Sequence, residues 1–262
     1  MNDFPASDTT DEHRRPPAGT ELTRRSEIAD RLATVERRIA DACATASRPR
    51  DSVTLIVVTK TYPSADTRML ASLGVRHVGE SRDQQAAPKA AECADLPLSW
   101  HFIGQLQTNK TASTAAFADH VHSVDRLRLV QALSDAATTA DRGPLGCLIQ
   151  IALDQDSGMN AHRGGAAPSE MLTLADAIAT APGLRLDGLM TVAPISGDLA
   201  DSPREAFDRL AELSLLLRKE HPGAVMLSAG MSHDLEAAIA AGATHVRVGT
   251  AVLGDRSPTP AV

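Results

Sequence analysis

Apolar residues recur along this chain with two alternating periods. Ile28, Leu32, Val35, Ile39 and Ala42 are spaced by fours and threes, which lines them up on one helix face. The period then shortens. Thr54–Thr59 holds four consecutive apolar residues, Leu55 to Val58, and reads as a buried strand. Further runs predict strands at Arg76–Gly79, Trp100–Gly104, His120–Val124, Cys147–Leu153, Leu186–Val192, Val225–Ser228 and His245–Val248, with helical stretches between them. Such alternation implies parallel pairing with helical crossovers. Eight units in about 230 residues fit a single (β/α)8 TIM barrel, here with an extra N-terminal helix. The rival is a doubly wound open sheet. When that fold binds dinucleotides it carries a G-x-G-x-x-G turn after its first strand, and this sequence has none. Residues 1–20 read as a disordered polar tail, 21–254 as the barrel domain and 255–262 as a short C-terminal tail.

Composition narrows the function classes. Aromatic residues make up 2% of the 262 residues: four Phe, one Trp and one Tyr, Tyr62. The core must therefore be aliphatic, and few rings are available to stack on bases. A formal net charge of −7 also disfavours a phosphodiester surface, so no nucleic-acid partner is expected. Cys43, Cys93 and Cys147 show no CxxC spacing and read as isolated buried thiols. His120 and His122 share a strand face but lack a convincing third ligand, so no metal is expected. The first twenty residues lack the apolar stretch of a secretory signal, and no run approaches the roughly 18 apolar residues of a membrane span. A cytoplasmic protein with no membrane partner is expected. It is expected to be a monomer, because no long apolar surface segment stands out.

In a barrel, function collects at the C-terminal ends of the strands. The first strand ends in Thr59-Lys60-Thr61. Burial and nearby cations at the mouth would lower the pKa of Lys60 and make its amine a nucleophile toward aldehydes. An exposed lysine capping a strand is the commoner situation. The seventh strand ends in Ser228-Ala229-Gly230-Met231-Ser232, with Ser232 placed to cap a helix that stops at Gly242. The eighth ends in Arg247-Val248-Gly249-Thr250-Ala251. Small residues, hydroxyls and helix N-terminal amides after strands seven and eight suit a phosphate. Ordinary capping accounts for Ser232 and Gly242 without a ligand, but not for small and hydroxyl residues at both strand ends. Alternation sets Val246 and Val248 on one face of the last strand and Arg247 and Gly249 on the other. His101, by itself, reads as a hydrogen-bonded structural histidine. An amine opposite a phosphate cradle suggests a phosphorylated aldehyde held as an imine. Pyridoxal phosphate fits, and so does a sugar phosphate in a Schiff-base aldolase.

Several segments resemble blocks of the pyridoxal phosphate homeostasis protein family (YggS/PROSC type). They are Val58-Thr59-Lys60-Thr61, Gly79-Glu80-Ser81, Trp100-His101-Phe102-Ile103-Gly104, Ser123-Val124-Asp125-Arg126, Gly188-Leu189-Met190-Thr191, Ser228-Ala229-Gly230-Met231-Ser232 and Arg247-Val248-Gly249-Thr250. They run in order from about residue 28 to 254, and together they are far more specific than any one alone. The resemblance implies a barrel like the alanine racemase N-terminal domain. It implies pyridoxal 5'-phosphate held as an internal aldimine on Lys60, with its phosphate near Ser228, Met231, Ser232, Gly249 and Thr250 and its ring nitrogen on Arg247. Ser81 stands where the family usually has Asn, and Gln85 where it usually has Glu. A ring-oxygen contact carried over to Ser81 would come from a shorter side chain. The loop Asp156-Ser157-Gly158-Met159-Asn160 is expected to differ in detail from relatives.

The resemblance implies a carrier or buffer of vitamin B6 that supplies the cofactor to apoenzymes, rather than an enzyme, with weak side activity at most. A racemase-like enzyme is the first alternative. Alanine racemase adds a C-terminal β-domain that supplies a tyrosine as second base. The body of this chain ends near Gly254, and Tyr62 lies two residues beyond Lys60. A Schiff-base aldolase, the second alternative, generally needs further acid–base residues around the imine.

Overall fold

The computed structural model describes residues 18–153, 164–194, 199 and 202–254. Eight parallel strands close into a barrel in sequence order, with β1 pairing back onto β8. The strands are β1 (Thr54–Val58), β2 (His77–Glu80), β3 (Ser99–Phe102), β4 (His120–Val124), β5 (Leu145–Gln150), β6 (Leu184–Met190), β7 (Met226–Ser228) and β8 (His245–Val248). The helices are α1 (Ala18–Thr45), α2 (Ser64–Ser72), α3 (Asp83–Glu92), α4 (Thr111–Phe117), α5 (Leu127–Ala140), α6 (Met171–Thr180), α7 (Pro203–Glu220), α8 (Leu235–Ala240) and α9 (Thr250–Leu253). Every predicted strand is present, two with the predicted bounds and the others with ends shifted by at most three residues. The expected tails at 1–20 and 255–262 fall on residues outside the described set, apart from the start of α1 at Ala18. The loop at Asp156–Asn160 lies outside it too.

The apolar stripe of α1 buries Ile28, Val35, Ile39 and Ala42, and the helix packs on α8 and α9. Arg24 donates to Asp66 Oδ2 at 2.7 Å and to the Leu253 carbonyl at 2.9 Å. The extra helix thus ties the first barrel unit to the last.

Alternation along each strand sorts side chains into two layers. Leu55, Val57, Val78, Trp100, Phe102, Val121, Leu189, Leu227, Val246 and Val248 join buried helix residues in one apolar cluster, the jacket. The intervening positions face the lumen. There His77, His101, His120, His122, Asp187, Ser228 and Arg247 bond to one another. Gly146 makes room for this polar filling. A Cβ at that position would fall 2.0 Å from Asp187 Oδ2 and 2.5 Å from His120 Nδ1.

One cap differs from expectation. Ser232 does not begin a helix: α8 starts at Leu235 with Asp234 as its N-cap residue. The Asp234 carboxylate turns back to accept from the Met231 amide at 2.5 Å. This closes a turn over Met231–Asp234 and delays the helix.

Candidate functional site

The ends of β1, β2, β7 and β8 meet at the mouth. β1 pairs Ile56 with Arg247 and Val57 with Val248, while Val58 pairs with Gly79 of β2. Continuing those registers brings Lys60 beside Ser81, and a Cβ on Gly249 would meet the Val58 carbonyl at 3.3 Å. Lys60 shares the lumen phase of Ile56 and Val58. Its side chain is exposed at the rim, so the burial expected to activate it is not present here. The next residue, Thr61, has φ 70, a left-handed conformation that costs a β-branched residue about 1–3 kcal/mol. The Tyr62 amide donates to the Thr59 carbonyl at 3.0 Å, and its hydroxyl donates to the Gly254 carbonyl at 2.5 Å. The sole tyrosine thus pins the turn that carries Lys60.

Arg247 lies beneath the mouth, 4% exposed. It donates to Ser228 Oγ at 2.6 Å and to the Thr191 carbonyl at 2.8 Å. Burial lowers its pKa to about 10, opposed by the attraction of Asp234, so it remains a cation at neutral pH. Ser228 is fully buried, and its Oγ also lies 3.0 Å from His122 Nδ1. Arg247 lies on the face opposite Val246 and Val248, as the alternation sets out, and that face is the lumen.

Met231 and Thr250 are exposed, and Ser232 and Gly249 are half-buried, around the ends of β7 and β8. Among the described residues, the Ser232 amide donates to nothing. The Thr250 and Ala251 amides open α9 and lack intrahelical acceptors. The Met231 amide already holds a carboxylate oxygen from Asp234. These donors suit a phosphate. Gly230 has φ +90, and a Cβ there would fall 2.6 Å from Ala238 Cβ, so glycine alone lets the loop pack on α8. Ser81 is half-buried, Gln85 is exposed, and no hydrogen bond joins either side chain to another described residue.

Sequence reasoning missed several residues. Thr191 and His122 hold Arg247 and Ser228 in place. Behind Lys60, buried Lys89 donates to the Thr59 carbonyl at 2.7 Å and to Glu80 Oε1 at 2.5 Å, while Thr59 Oγ1 donates to the same carboxylate oxygen at 2.7 Å. Glu80 Oε2 has no partner among the described residues. The signal available for the histidines was strand phase: His77, His101, His120, His122 and His245 all fall on lumen positions. No group of three potential ligands among the described residues could hold a metal. All three cysteines are buried and free. No helix among the described residues is long and apolar enough to cross a membrane.

Residues 31–257 match the family described as "Alanine racemase, N-terminal domain". The pyridoxal phosphate homeostasis protein of Pseudomonas aeruginosa is 44% identical over 231 residues, covering 88% of this chain and 96% of its own length. That of Escherichia coli is 37% identical over 235 residues, covering 88% and 97%. Among solved structures, PipY of Synechococcus elongatus, with PLP bound, superposes with a TM-score of 0.71 at 34% identity, covering 87% of this chain and 100% of its own. Alanine racemase from Corynebacterium glutamicum shares the fold at 18% identity, with a TM-score of 0.60. A barrel of the alanine racemase N-terminal type, matched over most of its length by these relatives, places the chain in the pyridoxal phosphate homeostasis protein family.

Proposed function

We propose that this chain binds pyridoxal phosphate at the barrel mouth and acts in intracellular vitamin B6 homeostasis, as a holder of the cofactor for apoenzymes rather than a turnover enzyme. The observation that carries this reading is the buried Arg247, fixed by Ser228 and Thr191 below a mouth rimmed by Lys60 and unpaired amides.

Lys60 supplies the amine that takes the aldehyde. The amides of Ser232 and Thr250 and their hydroxyls take the phosphate beside Met231 and Gly249, with Ser228 below. Arg247 faces the ring nitrogen, and Ser81 is positioned for the ring oxygen. When bound, the cofactor supplies an electrophilic carbonyl and a conjugated ring that acts as an electron sink. Arg247 limits that sink. A guanidinium donates hydrogen bonds and retains its proton at neutral pH, so it orients the ring nitrogen without protonating it. Enzymes that need strong carbanion stabilisation commonly place an acid at this position, though some use an arginine. Tyr62, the one tyrosine in the sequence, bonds to the Gly254 carbonyl, an arrangement that suits a structural strut better than a second base.

The test adds pyridoxal phosphate to the purified chain, reduces with borohydride and maps the adduct by mass spectrometry. A stoichiometric adduct on Lys60, absent from a folded Lys60→Ala variant, is expected. An adduct on another lysine, or none on the folded protein, overturns the reading. Racemisation of amino acids at the rate of a dedicated racemase would reject the holder role in favour of an enzyme.

A further inference from the structure

The lumen below the mouth carries an unusual filling. Barrel lumens are dominated by bulky branched residues, yet histidines from β2, β3, β4 and β8 line this one. Three of them form a single chain with the mouth. His77 Nδ1 lies 3.0 Å from His101 Nε2. His101 Nδ1 lies 2.9 Å from His122 Nε2. His122 Nδ1 lies 3.0 Å from Ser228 Oγ, which accepts from Arg247 at 2.6 Å. His101 and His122 are buried, whereas His77 is half-buried at the start of β2, on the barrel floor.

Arg247 sets the direction of this chain. A guanidinium has donors and no acceptor, so Ser228 Oγ accepts from it. The Ser228 hydrogen has one acceptor among the described residues, His122 Nδ1. His122 therefore carries its hydrogen on Nε2 and gives it to His101 Nδ1. His101 likewise carries its hydrogen on Nε2 and gives it to His77 Nδ1. All three imidazoles are neutral and share one tautomer.

A proton on His77 is incompatible with this arrangement. An imidazolium donates from both nitrogens, so two hydrogens would meet between His77 and His101. Reversing every bond relieves the conflict. Ser228 takes one proton, relayed from a hydronium ion in the solvent at the mouth, as its own passes to His122 Nδ1. The Nε2 hydrogen of His122 passes to His101 Nδ1, and that of His101 passes to His77 Nδ1. One proton enters and none leaves. His77 ends as an imidazolium, and Ser228 then offers its hydrogen to an acceptor at the mouth.

We propose that His77, His101 and His122 are positioning residues for the Ser228–Arg247 pair, a directional chain that couples protonation at the barrel floor to the mouth. The coupling rests on the reading of the mouth as the pyridoxal phosphate site for its purpose, but not for its existence.

Other charges face this chain. Asp119 and His120 lie beside His77. His120 stacks on His101 at 4.6 Å between ring centroids, and His245 lies 6.3 Å from it. Arg247, His245 and His120 act on His122. Asp187 bonds His120 and Arg185, and Asp234 acts on Arg247. Burial holds His101 and His122 well below the ordinary histidine range, reinforced by the surrounding histidines and, at His122, by Arg247. Burial, with His120, also lowers His77. His77, the least buried of the three, carries the resulting charge, at a pH below the ordinary histidine range.

Long-range proton–nitrogen NMR correlations on the full nitrogen-15-labelled chain, without cofactor, read the tautomers directly. At about pH 8, His77, His101 and His122 are expected as Nε2–H. As His77 titrates, His101 and His122 are expected to switch to Nδ1–H with the same midpoint. In a His77→Gln variant the amide oxygen still accepts from His101 but takes no proton, so both are expected to stay Nε2–H over that range. If this variant does not fold, the wild-type titration decides alone. An Nδ1–H tautomer at His101 or His122 near pH 8, or no response of His122 to the titration of His77, overturns the proposal. Absence of a borohydride-trapped adduct on Lys60 would defeat the cofactor reading and leave the tautomer result standing.

Discussion

Outward from the strands, Val57, Val78, Phe102, Val121, Leu189 and Val248 pack into the helices as a continuous apolar layer. Inward, neighbouring positions on the same or adjacent strands carry Ile56, His101, His122, Asp187, Ser228 and Arg247, and all but the first are hydrogen-bonded. The jacket removes apolar area from water and supplies stability. The lumen contributes direction, since each of its bonds fixes which atom donates. Because side chains alternate, a one-residue slip in any strand would exchange the two layers. The strict phase of the apolar positions therefore places the polar ones as well.

The contrast predicts that damage to the jacket costs stability alone, while damage to the lumen costs function as well. The largest effect is expected in the jacket. Phe207 of α7 is 1% exposed, and Phe207→Ala should destabilise the chain by about 3–5 kcal/mol in urea unfolding. The Lys60 adduct should still form below the unfolding transition. An equal loss of adduct in the folded variant would show that the layers are not separate.

Acid should attack the lumen first. Burial, reinforced by His77 and His120, lowers His245 to about 4, while an unfolded histidine titrates near 6.5. Above that value both states are neutral and the stability is complete. Between the two values the unfolded chain binds more protons, so stability falls with pH, by about 3 kcal/mol for this residue. His245→Gln should flatten unfolding curves measured across that window. Asp187 behaves at a lower pH. Burial raises its pKa, but the bonds from His120 and Arg185 win and hold it below the ordinary aspartate value, so its contribution is lost only as pH falls below that value.

Ser228→Ala removes an acceptor from Arg247 and a partner from His122. Stability should fall by about 1–3 kcal/mol, less than in Phe207→Ala, while pyridoxal phosphate affinity measured by absorbance titration should fall several-fold. The smallest effect is expected outside both layers. Arg38 and Glu236 form an exposed bidentate pair between α1 and α8, and Glu236→Gln should change stability by at most about 1 kcal/mol.

The barrel was legible because its signal is local. Four apolar residues before Lys60, and runs of the same kind up to His245–Val248, mark strands whatever the rest of the chain does. The mouth was legible as strand ends, with Arg247 on the opposite phase from Val246 and Val248. The error at Ser232 arose because a capping residue was inferred without its competitor: the Asp234 carboxylate reaches the Met231 amide and closes a turn first. Lys60 illustrates a different limit, since whether a strand-end amine is buried depends on neighbouring loops. The histidine chain was hidden because His101 reads by itself as a structural histidine, His122 pairs in sequence only with His120, and His77 carries no signal of its own. Their contacts join residues 21 to 106 positions apart, and no sequence spacing encodes them.

The most direct test of the central claim is a crystal structure of the full chain with pyridoxal phosphate. The account predicts the aldehyde carbon joined to Lys60, the phosphate on the amides of Ser232 and Thr250, and the ring nitrogen facing an Arg247 still bonded to Ser228 and Thr191. A cofactor seated elsewhere, or a ring nitrogen turned away from Arg247, would contradict it.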